Sequence, residues 1–319
     1  MVVRSKSFLI IGGAGFIGSH FVRKILSKND KVIVLDNLSS GYFNLISEFE
    51  NNSKFLFIED DVLNWKNHKN LLNDIDTIIH LASNADIAAA LTDPTIDFFK
   101  GTLLTQAAAE MARVLKINQF LYASGSGVYG DYGDFVLDES SQELKPISPY
   151  GASKLAGEAI LRAYSYMFDF KVACFRFGNV VGGNQTHGVG FDFLNKLRID
   201  SNVLNVLGDG NQAKPYIHVS DVIEAVLLVK DLNIEGFQTF NVATTDSLKV
   251  SEIVELALKV ANVKINEIDI KYQNLDRGWK GDVPVVKLDS SKLRNLGWSS
   301  KFNSKEAMMK ALISMWEIK

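Results

Sequence analysis

Short runs of apolar residues recur along the first half of the chain, separated by longer stretches of mixed polarity. Runs that are rich in β-branched and aromatic residues and lack polar alternation are typical of strands buried on both faces of a sheet. Such runs occupy Phe8–Ile11, Lys31–Leu35, Phe55–Glu59, Thr77–His80, Phe120–Ser124 and Lys171–Phe177. Their alternation with longer segments predicts a doubly wound α/β domain, in which helices cover a parallel sheet.

The pattern changes after about residue 179, where glycine pairs and polar loops become frequent. We predict a domain over 1–178 and a smaller α/β lobe over 179–319. A further strand over Phe237–Val242 is expected to return to the first sheet, so that about 215–245 rejoins the first domain and the two are interdigitated. Helical patterns cover Ser220–Lys230, Val250–Val260 and Lys305–Ile318.

Composition narrows the class of protein. The 319 residues are 47% hydrophobic and 22% charged, which is ordinary for a packed globular chain. Thirty-four basic and 37 acidic residues give a net charge of −3, without a basic run, so no nucleic-acid partner is expected. The single cysteine, Cys174, excludes an internal disulfide, and no Cys/His spacing predicts a metal site. The apolar run after Ser7 is cut early by glycines, so we expect a cytoplasmic protein without a membrane partner.

A glycine cluster follows the first predicted strand. Gly12, Gly13, Gly15 and Gly18 lie between that strand and the amphipathic stretch Ser19–Leu26. Glycines let the backbone approach a pyrophosphate, and the amino end of the following helix offers free N–H groups. A tight turn without a ligand is the alternative. The strand and helix on either side favour a Rossmann-type dinucleotide site.

An acidic residue stands where such a site needs one. Asp36 closes the second predicted strand, eighteen residues beyond Gly18, where a carboxylate accepts hydrogen bonds from ribose hydroxyls and repels a 2′-phosphate. This favours NAD over NADP, although a simple strand-end cap is the alternative. Asp61 and Val62 are weaker candidates for the adenine edge and face. Polar contacts near the ribose are expected from Asn37, Ser39, Ser40 and Gly41.

A tyrosine and a lysine share one face of a predicted helix. Ser148 and Pro149 form a good helix start, and Tyr150 and Lys154 follow four residues apart. An ammonium near a phenol favours the phenolate and lowers a pKa that is about 10 in water. Taken alone, such a pair is usually an exposed surface pair. Together with the glycine cluster, it predicts a general base.

These residues resemble the extended short-chain dehydrogenase/reductase family and, within it, the archaeal and bacterial UDP-glucose (UDP-galactose) 4-epimerases. The likeness covers nearly the whole chain. The matching segments are GGAGFIGSH from Gly12, VLDNLSSG from Val34, HLAS from His80, GVYGD from Gly127, SPYGASKLAGE from Ser148, RFGNVVG from Arg176, LGDGNQAK from Leu207 and RGWKGDVP from Arg277. The resemblance adds Phe16, Ile17, Leu81, Ala82 and Ser83 to the expected NAD contacts.

The resemblance implies a reaction. Tyr150 would remove the proton of the sugar 4-hydroxyl while hydride passes from C4 to the nicotinamide, and Lys154 would bind the nicotinamide ribose. The 4-keto sugar would rotate about its link to the diphosphate and take hydride back on its other face. This inverts the configuration at C4 and restores the bound NAD. Relatives commonly dimerise through two helices, which implies a homodimer through Thr102–Val114 and the Tyr150 helix.

The chain departs from the family pattern at three positions. The Ser or Thr that donates a hydrogen bond to the reacting oxygen is replaced by Gly125, which Ser124 and Ser126 flank. Ser126 is the preferred substitute, because Ser124 matches a position that usually faces the cofactor. Gly101 stands where relatives commonly carry asparagine, and Lys214 stands where many carry an arginine for the diphosphate.

The expected substrate contacts come from the second half of the chain. Arg277 is the stronger candidate for the diphosphate, Asn179 is a backbone or phosphate contact, and His187 is either beside the nucleotide or solvated. The full expected set is Ser126, Asn179, His187, Gly188, Val189, Lys214, Tyr216, Arg277 and Asp282.

Other reactions of the family need residues that this chain lacks. Dehydratases use an Asp-Glu pair just before VYG, where this chain has Ser126 and Gly127. Val286, near the position that gates bulky C2 groups, leaves both hexoses and N-acetylhexosamines open as substrates. One alternative is a non-catalytic NAD and nucleotide-sugar binding protein, which the glycines at 101 and 125 motivate. The other is a nucleotide-sugar dehydrogenase or dehydratase of the same family, and a dehydrogenase would release NADH.

Overall fold

The computed structural model describes residues 6–140, 143–273 and 275–317 and separates the chain into two compact units, each assembled from discontinuous segments. The first unit consists of Met1–Ser124, Ala152–Arg176 and Val226–Phe240. The second consists of Gly125–Gly151, Phe177–Ala225 and Asn241–Lys319.

Strands and helices alternate in the early part of the chain, and short strands follow one another directly in the later part. In chain order the strands are β1 (Ser7–Ile11), β2 (Lys31–Asp36), β3 (Phe55–Glu59), β4 (Thr77–His80), β5 (Gln119–Gly125), β6 (Val136–Leu137), β7 (Lys171–Phe177), β8 (Asn179–Val181), β9 (Val203–Val206), β10 (Ala213–Lys214), β11 (Tyr216–His218), β12 (Phe237–Val242), β13 (Leu248–Lys249), β14 (Asp269–Tyr272) and β15 (Lys287–Leu288). The α-helices are α1 (Phe16–Ser27), α2 (Lys69–Leu72), α3 (Leu103–Leu115), α4 (Pro149–Phe168), α5 (Val189–Ile199), α6 (Val219–Leu232), α7 (Val250–Ala261), α8 (Ser291–Arg294) and α9 (Ser304–Glu317).

A seven-stranded sheet organises the first unit, with strand order β12-β7-β5-β4-β1-β2-β3. Strands β1 to β5 pair in parallel, with Leu9 opposite both Ile33 and Ile78. These three side chains have no solvent exposure. The predicted doubly wound α/β fold is therefore confirmed, and the predicted strand near residue 240 does join this sheet.

The order of the strands places the site residues. Strand β1 pairs with β2 on one side and with β4 on the other. Strands β2 and β3 are thus added on one side of β1 and the later strands on the other, so the strand order reverses at β1. Ligands of open α/β sheets bind outside the carboxyl ends of the strands at such a reversal. The glycine cluster after β1, Asp36 at the end of β2 and the segment after β4 all lie at that edge.

The second unit has its own core. Helices α5, α7 and α9 pack together with the parallel pairs β8–β11 and β9–β14. Leu194, Ile253, Ala257 and Leu312 have no solvent exposure in this core. The predicted helices near 225, 255 and 312 correspond to α6, α7 and α9.

None of the helices in residues 6–140, 143–273 and 275–317 is both long and apolar enough to span a membrane.

Candidate active site

Three glycines of the cluster after β1 are fixed by close contacts within the first unit. Gly12 has φ +82°, and a Cβ there would lie 2.7 Å from the backbone nitrogen of Ala82. At Gly18 a Cβ would lie 2.4 Å from the carbonyl oxygen of Gly12, and at Gly13 it would meet Val34 at 2.7 Å. Glycine is therefore needed at these positions to bring β1, β2, the segment after β4 and helix α1 together.

Gly15 differs from its neighbours. A Cβ there would meet only the carbonyl oxygen of Gly12, at 3.5 Å, so packing within the protein does not exclude a side chain. Gly15 is also the residue that precedes helix α1, and no side chain caps that end of the helix. The open side of Gly15 and the uncapped N–H groups at Phe16 and Ile17 fit a pyrophosphate.

The Asp36 carboxylate holds the loops on either side of it. Its Oδ2 accepts from the backbone N–H of Ala14 at 2.9 Å, and its Oδ1 accepts from that of Leu38 at 2.9 Å. Burial raises the pKa of Asp36, and these two hydrogen bonds oppose the rise. The carboxylate thus ties the glycine loop to the end of β2, where its remaining acceptor capacity fits ribose hydroxyls.

The other expected adenosine contacts lie around Asp36. Asn37 donates to the Asp61 carboxylate at 2.8 Å, while Asp61 also caps the turn that begins at Val62. Val62 is buried. Ser39 and Ser40 are exposed and Gly41 is buried, where a Cβ would lie 3.1 Å from Asp36 Oδ1.

The segment after β4 approaches the glycine loop through its backbone. The N–H groups of Leu81 and Ala82 donate to the carbonyl of Ile11 at 2.9 and 3.0 Å. Leu81, Ala82 and Ser83 are half-buried. These hydrogen bonds hold the segment after β4 against the end of β1, next to the glycine loop.

Helix α4 carries both Tyr150 and Lys154. The Ser148 hydroxyl accepts from the backbone N–H of Gly151 at 3.1 Å, which starts the helix as the sequence predicts. The Lys154 ammonium is buried and donates to the carbonyl of Ala123 at 2.8 Å. Burial lowers the pKa of Lys154 to about 8, against the opposing effect of the Asp97 charge. Lys154 is therefore built into the first unit and is not an exposed surface lysine.

Ser124 is engaged in a buried ionic network. Its hydroxyl donates to Glu158 Oε1 at 2.6 Å, and Glu158 forms an ion pair with Arg176 at 2.8 Å. Both charged side chains are only 5% exposed. The hydroxyl proton of Ser124 is thus committed to Glu158, on the helix that carries Lys154.

The loop after Ser124 lies beside the phenol of Tyr150 in the second unit. A Cβ at Gly125 would lie 4.0 Å from the Tyr150 hydroxyl oxygen, and Gly125 has an extended backbone with φ −157° and ψ 165°. The hydroxyl of Ser126 has no hydrogen-bond partner among the described residues and is half-buried. Ser126 is therefore the flanking hydroxyl that remains available.

Two basic side chains of the second unit are paired with carboxylates. Lys214 forms an ion pair with Asp282, whose other oxygen accepts from the backbone of Gly278. Arg277 pairs with Asp276 at 3.0 Å and lies 3.7 Å from Asp131.

The remaining expected substrate contacts lie on β8, β11 and the start of α5. Tyr216 pairs with Asn179 in register, is buried, and has a raised pKa because of that burial. His187 is exposed in a loop, and Gly188, with φ +99°, leads into α5 at Val189.

Sequence reasoning missed two buried acids near Lys154. Glu158 lies one turn further along α4, and nothing in its sequence neighbourhood reveals its partners on β5 and β7. Asp97 is 1% exposed, and its Oδ2 has no hydrogen-bond partner in the part of the chain that the structure describes. No sequence signal marks Asp97, because its role depends on burial and on contacts with helix α4.

Comparison with known proteins agrees with this arrangement. Residues 8–243 match the NAD dependent epimerase/dehydratase family. A UDP-glucose 4-epimerase of Mycolicibacterium smegmatis is 29% identical over 311 residues, covering 95% of this chain and 96% of that protein.

Solved structures of similar proteins cover almost all of this chain. A UDP-glucose 4-epimerase of Thermus thermophilus, solved in complex with NAD, is 26% identical with a TM-score of 0.85, covering 98% of this chain and 100% of the other. A UDP-N-acetylglucosamine 4-epimerase of Methanobrevibacter ruminantium M1 is 25% identical with a TM-score of 0.86, covering 99% of each chain.

The fold and the dinucleotide edge define a Rossmann-type nucleotide-binding protein. The chain belongs to the NAD-dependent epimerase/dehydratase family, whose members are extended short-chain dehydrogenases/reductases, and its cofactor is NAD. The residues present fit that cofactor, because Gly15 is open and Asp36 presents a carboxylate at the end of β2.

Proposed function

We propose that the protein is a nucleotide-sugar 4-epimerase that interconverts UDP-glucose and UDP-galactose. The observation that carries this proposal is the position of Tyr150, on the same helix as the buried Lys154 and 4.0 Å from the Cβ position of Gly125. The lack of a carboxylate at Ser126 and Gly127 supports epimerisation over dehydration, since dehydration needs a second acid and base.

Each residue of this group has a distinct role in the proposal. Tyr150 takes the proton of the sugar 4-hydroxyl, and the Lys154 charge on the same helix favours its phenolate. Ser126 donates to the reacting sugar oxygen in place of the residue missing at Gly125. Bound NAD supplies a reversible hydride acceptor. Arg277 and Lys214 contribute positive charge for the diphosphate, and binding requires the carboxylates that now pair with them to give way.

The test is product analysis after incubation with UDP-galactose, with Tyr150→Phe as the matched variant. We expect UDP-glucose to form without net reduction of NAD, and the variant to lose activity by about a hundredfold or more. Equal activity in the variant would refute Tyr150 as the base. NAD binding without turnover over a panel of nucleotide sugars would favour the binding protein, and accumulating NADH would favour a dehydrogenase.

We propose that the sugar range includes N-acetylhexosamines. Val286 is a medium-sized apolar side chain that is 8% exposed, and its N–H donates to the carbonyl of Ala213, next to Lys214. Assays with UDP-galactose and UDP-N-acetylgalactosamine at matched concentrations separate the two ranges. A rate with the N-acetyl sugar below one-hundredth of the hexose rate would exclude it.

We also propose a homodimer through α3 and α4. Support comes from the resemblance and from exposed apolar side chains near the end of α4, where Tyr166 is 89% and Met167 is 67% exposed. Sedimentation equilibrium tests this proposal. Tyr166→Glu together with Met167→Glu is expected to weaken the dimer, whereas a monomeric parent would contradict it.

A further inference from the structure

A buried carboxylate lies in the first unit beside the segment that carries Lys154. Asp97 is 1% exposed, and Asn84 donates to its Oδ1 at 3.1 Å. Its Oδ2 is buried and has no hydrogen-bond partner among residues 6–140, 143–273 and 275–317. A buried carboxylate oxygen without a donor is costly unless a positive charge compensates for it.

The backbone of Asp97 is fixed to helix α4. The Ser153 hydroxyl donates to the Asp97 carbonyl at 2.8 Å and receives a hydrogen bond from Thr102 at 3.2 Å. A Cβ at Gly101 would lie 2.2 Å from that hydroxyl oxygen, so Gly101 makes room for it. Gly101 thus makes room for the hydroxyl of Ser153, the residue before Lys154, and this hydroxyl holds α4 against Asp97.

Asp97 is the acid whose charge acts on the buried ammonium of Lys154. Lys154 is 4% exposed and lies near neutral His80, whose pKa burial lowers to about 3, and 5.3 Å from the centre of the Tyr122 ring. The charge of Asp97 opposes the fall in the pKa of Lys154. Burial raises the pKa of Asp97, and the hydrogen bond from Asn84 and the charge of Lys154 oppose that rise. The charge of Asp93, which is exposed, adds to the rise in the pKa of Asp97.

We propose that Asp97 is a positioning residue for Lys154, whose carboxylate keeps the buried ammonium charged and in place on the face of α4 that carries Tyr150. Asp97 acts only through Lys154. The consequence for turnover rests on the proposed function, whereas the effect on the Lys154 charge does not.

The direct test is NMR titration of the NAD-free protein labelled with ¹³C at lysine Cε, with the Lys154 signal identified by its loss in Lys154→Met. The nearly isosteric Asp97→Asn is expected to lower the Lys154 midpoint by about one pH unit or more. Asp93→Asn, which removes an exposed acid from the same segment, is expected to leave it nearly unchanged. An unchanged midpoint in Asp97→Asn would overturn the proposal.

A reciprocal measurement guards against an Asp97→Asn variant that does not fold. Coupling between two sites is mutual, so removing the ammonium in Lys154→Met is expected to raise the pKa of Asp97, followed through its ¹³Cγ signal. A Cγ titration that does not move between parent and variant would overturn the proposal independently.

Turnover gives a third readout. The alkaline limb of kcat/KM is expected to move down by about one pH unit in Asp97→Asn, because Lys154 loses its proton earlier. A variant whose rate falls equally at all pH values would indicate a structural role and contradict the proposal. If the parent is inactive on every sugar, the proposed function fails while the NMR result stands, so the two failures are distinguishable.

Discussion

At the scale of single residues, Gly125 leaves space beside the Tyr150 hydroxyl, where the proposed function needs a hydrogen-bond donor. Its backbone is extended, and a Cβ would have 4.0 Å to the nearest atoms, both in Tyr150. A serine therefore fits there without strain, and the glycine is not required by packing. Ser124 cannot serve as that donor while its hydroxyl donates a hydrogen bond to Glu158.

We predict that Ser126→Ala lowers kcat by about a hundredfold, because removal of one such donor has this order of effect. Adding Gly125→Ser to that variant is expected to restore most of the loss, since the new hydroxyl lies beside Tyr150. Steady-state kinetics with UDP-galactose measures both. Full activity in Ser126→Ala alone would mean that Ser126 is not the donor.

Residue-scale chemistry is also where prediction from sequence was least complete. Asp36, Tyr150 and Lys154 could be named because each stands at a fixed spacing from a glycine motif or a helix start. Glu158 and Asp97 could not, because their roles depend on Arg176, on Ser153 and on burial, which arise only when distant strands and helices meet.

At the scale of elements, the glycines in the turn between β1 and α1 have two different roles, packing at one position and cofactor binding at another. Gly18 is enclosed by backbone atoms of Gly12 and Gly13, whereas a Cβ at Gly15 would meet only one atom, the carbonyl oxygen of Gly12, at an ordinary contact distance of 3.5 Å. The same type of substitution at these two positions should therefore have different consequences.

We predict that Gly18→Ala destabilises the protein by about 1–3 kcal/mol, since the added methyl overpacks the contact between helix and strand. Gly15→Ala is expected to keep the melting temperature of the NAD-free protein and to weaken NAD binding by about tenfold or more. Thermal unfolding and calorimetric titration with NAD provide the two readouts. Equal melting temperatures for both variants would contradict the assignment.

The Glu158–Arg176 pair joins α4 to β7, and Ser124 adds β5 to the same network. We predict that Glu158→Gln lowers the free energy of unfolding by about 3–5 kcal/mol, because it leaves a buried guanidinium without its counter-charge. Glu267→Gln, which breaks the exposed pair with Lys264, should cost less than about 1 kcal/mol. Urea denaturation at neutral pH measures the free energy of unfolding of both variants. Similar decreases in the two would show that the buried pair contributes no more to stability than the exposed pair.

At the scale of the whole molecule, the strand pattern was the most predictable feature. The six apolar runs of the first half correspond to β1 to β5 and β7 within two residues at either end, because buried parallel strands require continuous apolar sequence. The short strands β6, β10, β13 and β15 have two residues each and carry no pattern of their own. Their pairing is decided by the loops around them.

The division of the chain into units gives a prediction about truncation. The first unit includes Val226–Phe240, where the carbonyl of Lys230 accepts from Gln119 at 3.1 Å and Asp231 pairs with Lys6 at 2.9 Å. We predict that a fragment ending at residue 178 lacks cooperative thermal unfolding, because the edge of its sheet beyond β7 is uncovered.

A second fragment serves as the control, with residues 1–178 linked to residues 219–245 so that α6 and β12 are supplied. It should regain a cooperative transition by circular dichroism. Cooperative unfolding of the shorter fragment would show that residues 1–178 suffice as an independent domain.

The contact between Gly101 and Ser153 couples these two positions in evolution. An asparagine at position 101 would overlap the Ser153 hydroxyl, which lies 2.2 Å from the place its Cβ would take. A larger side chain at position 101 therefore requires the Ser153 hydroxyl to turn away and to give up its hydrogen bond to the Asp97 carbonyl. Positions 101 and 153, which are 52 residues apart in sequence, are thus expected to change together.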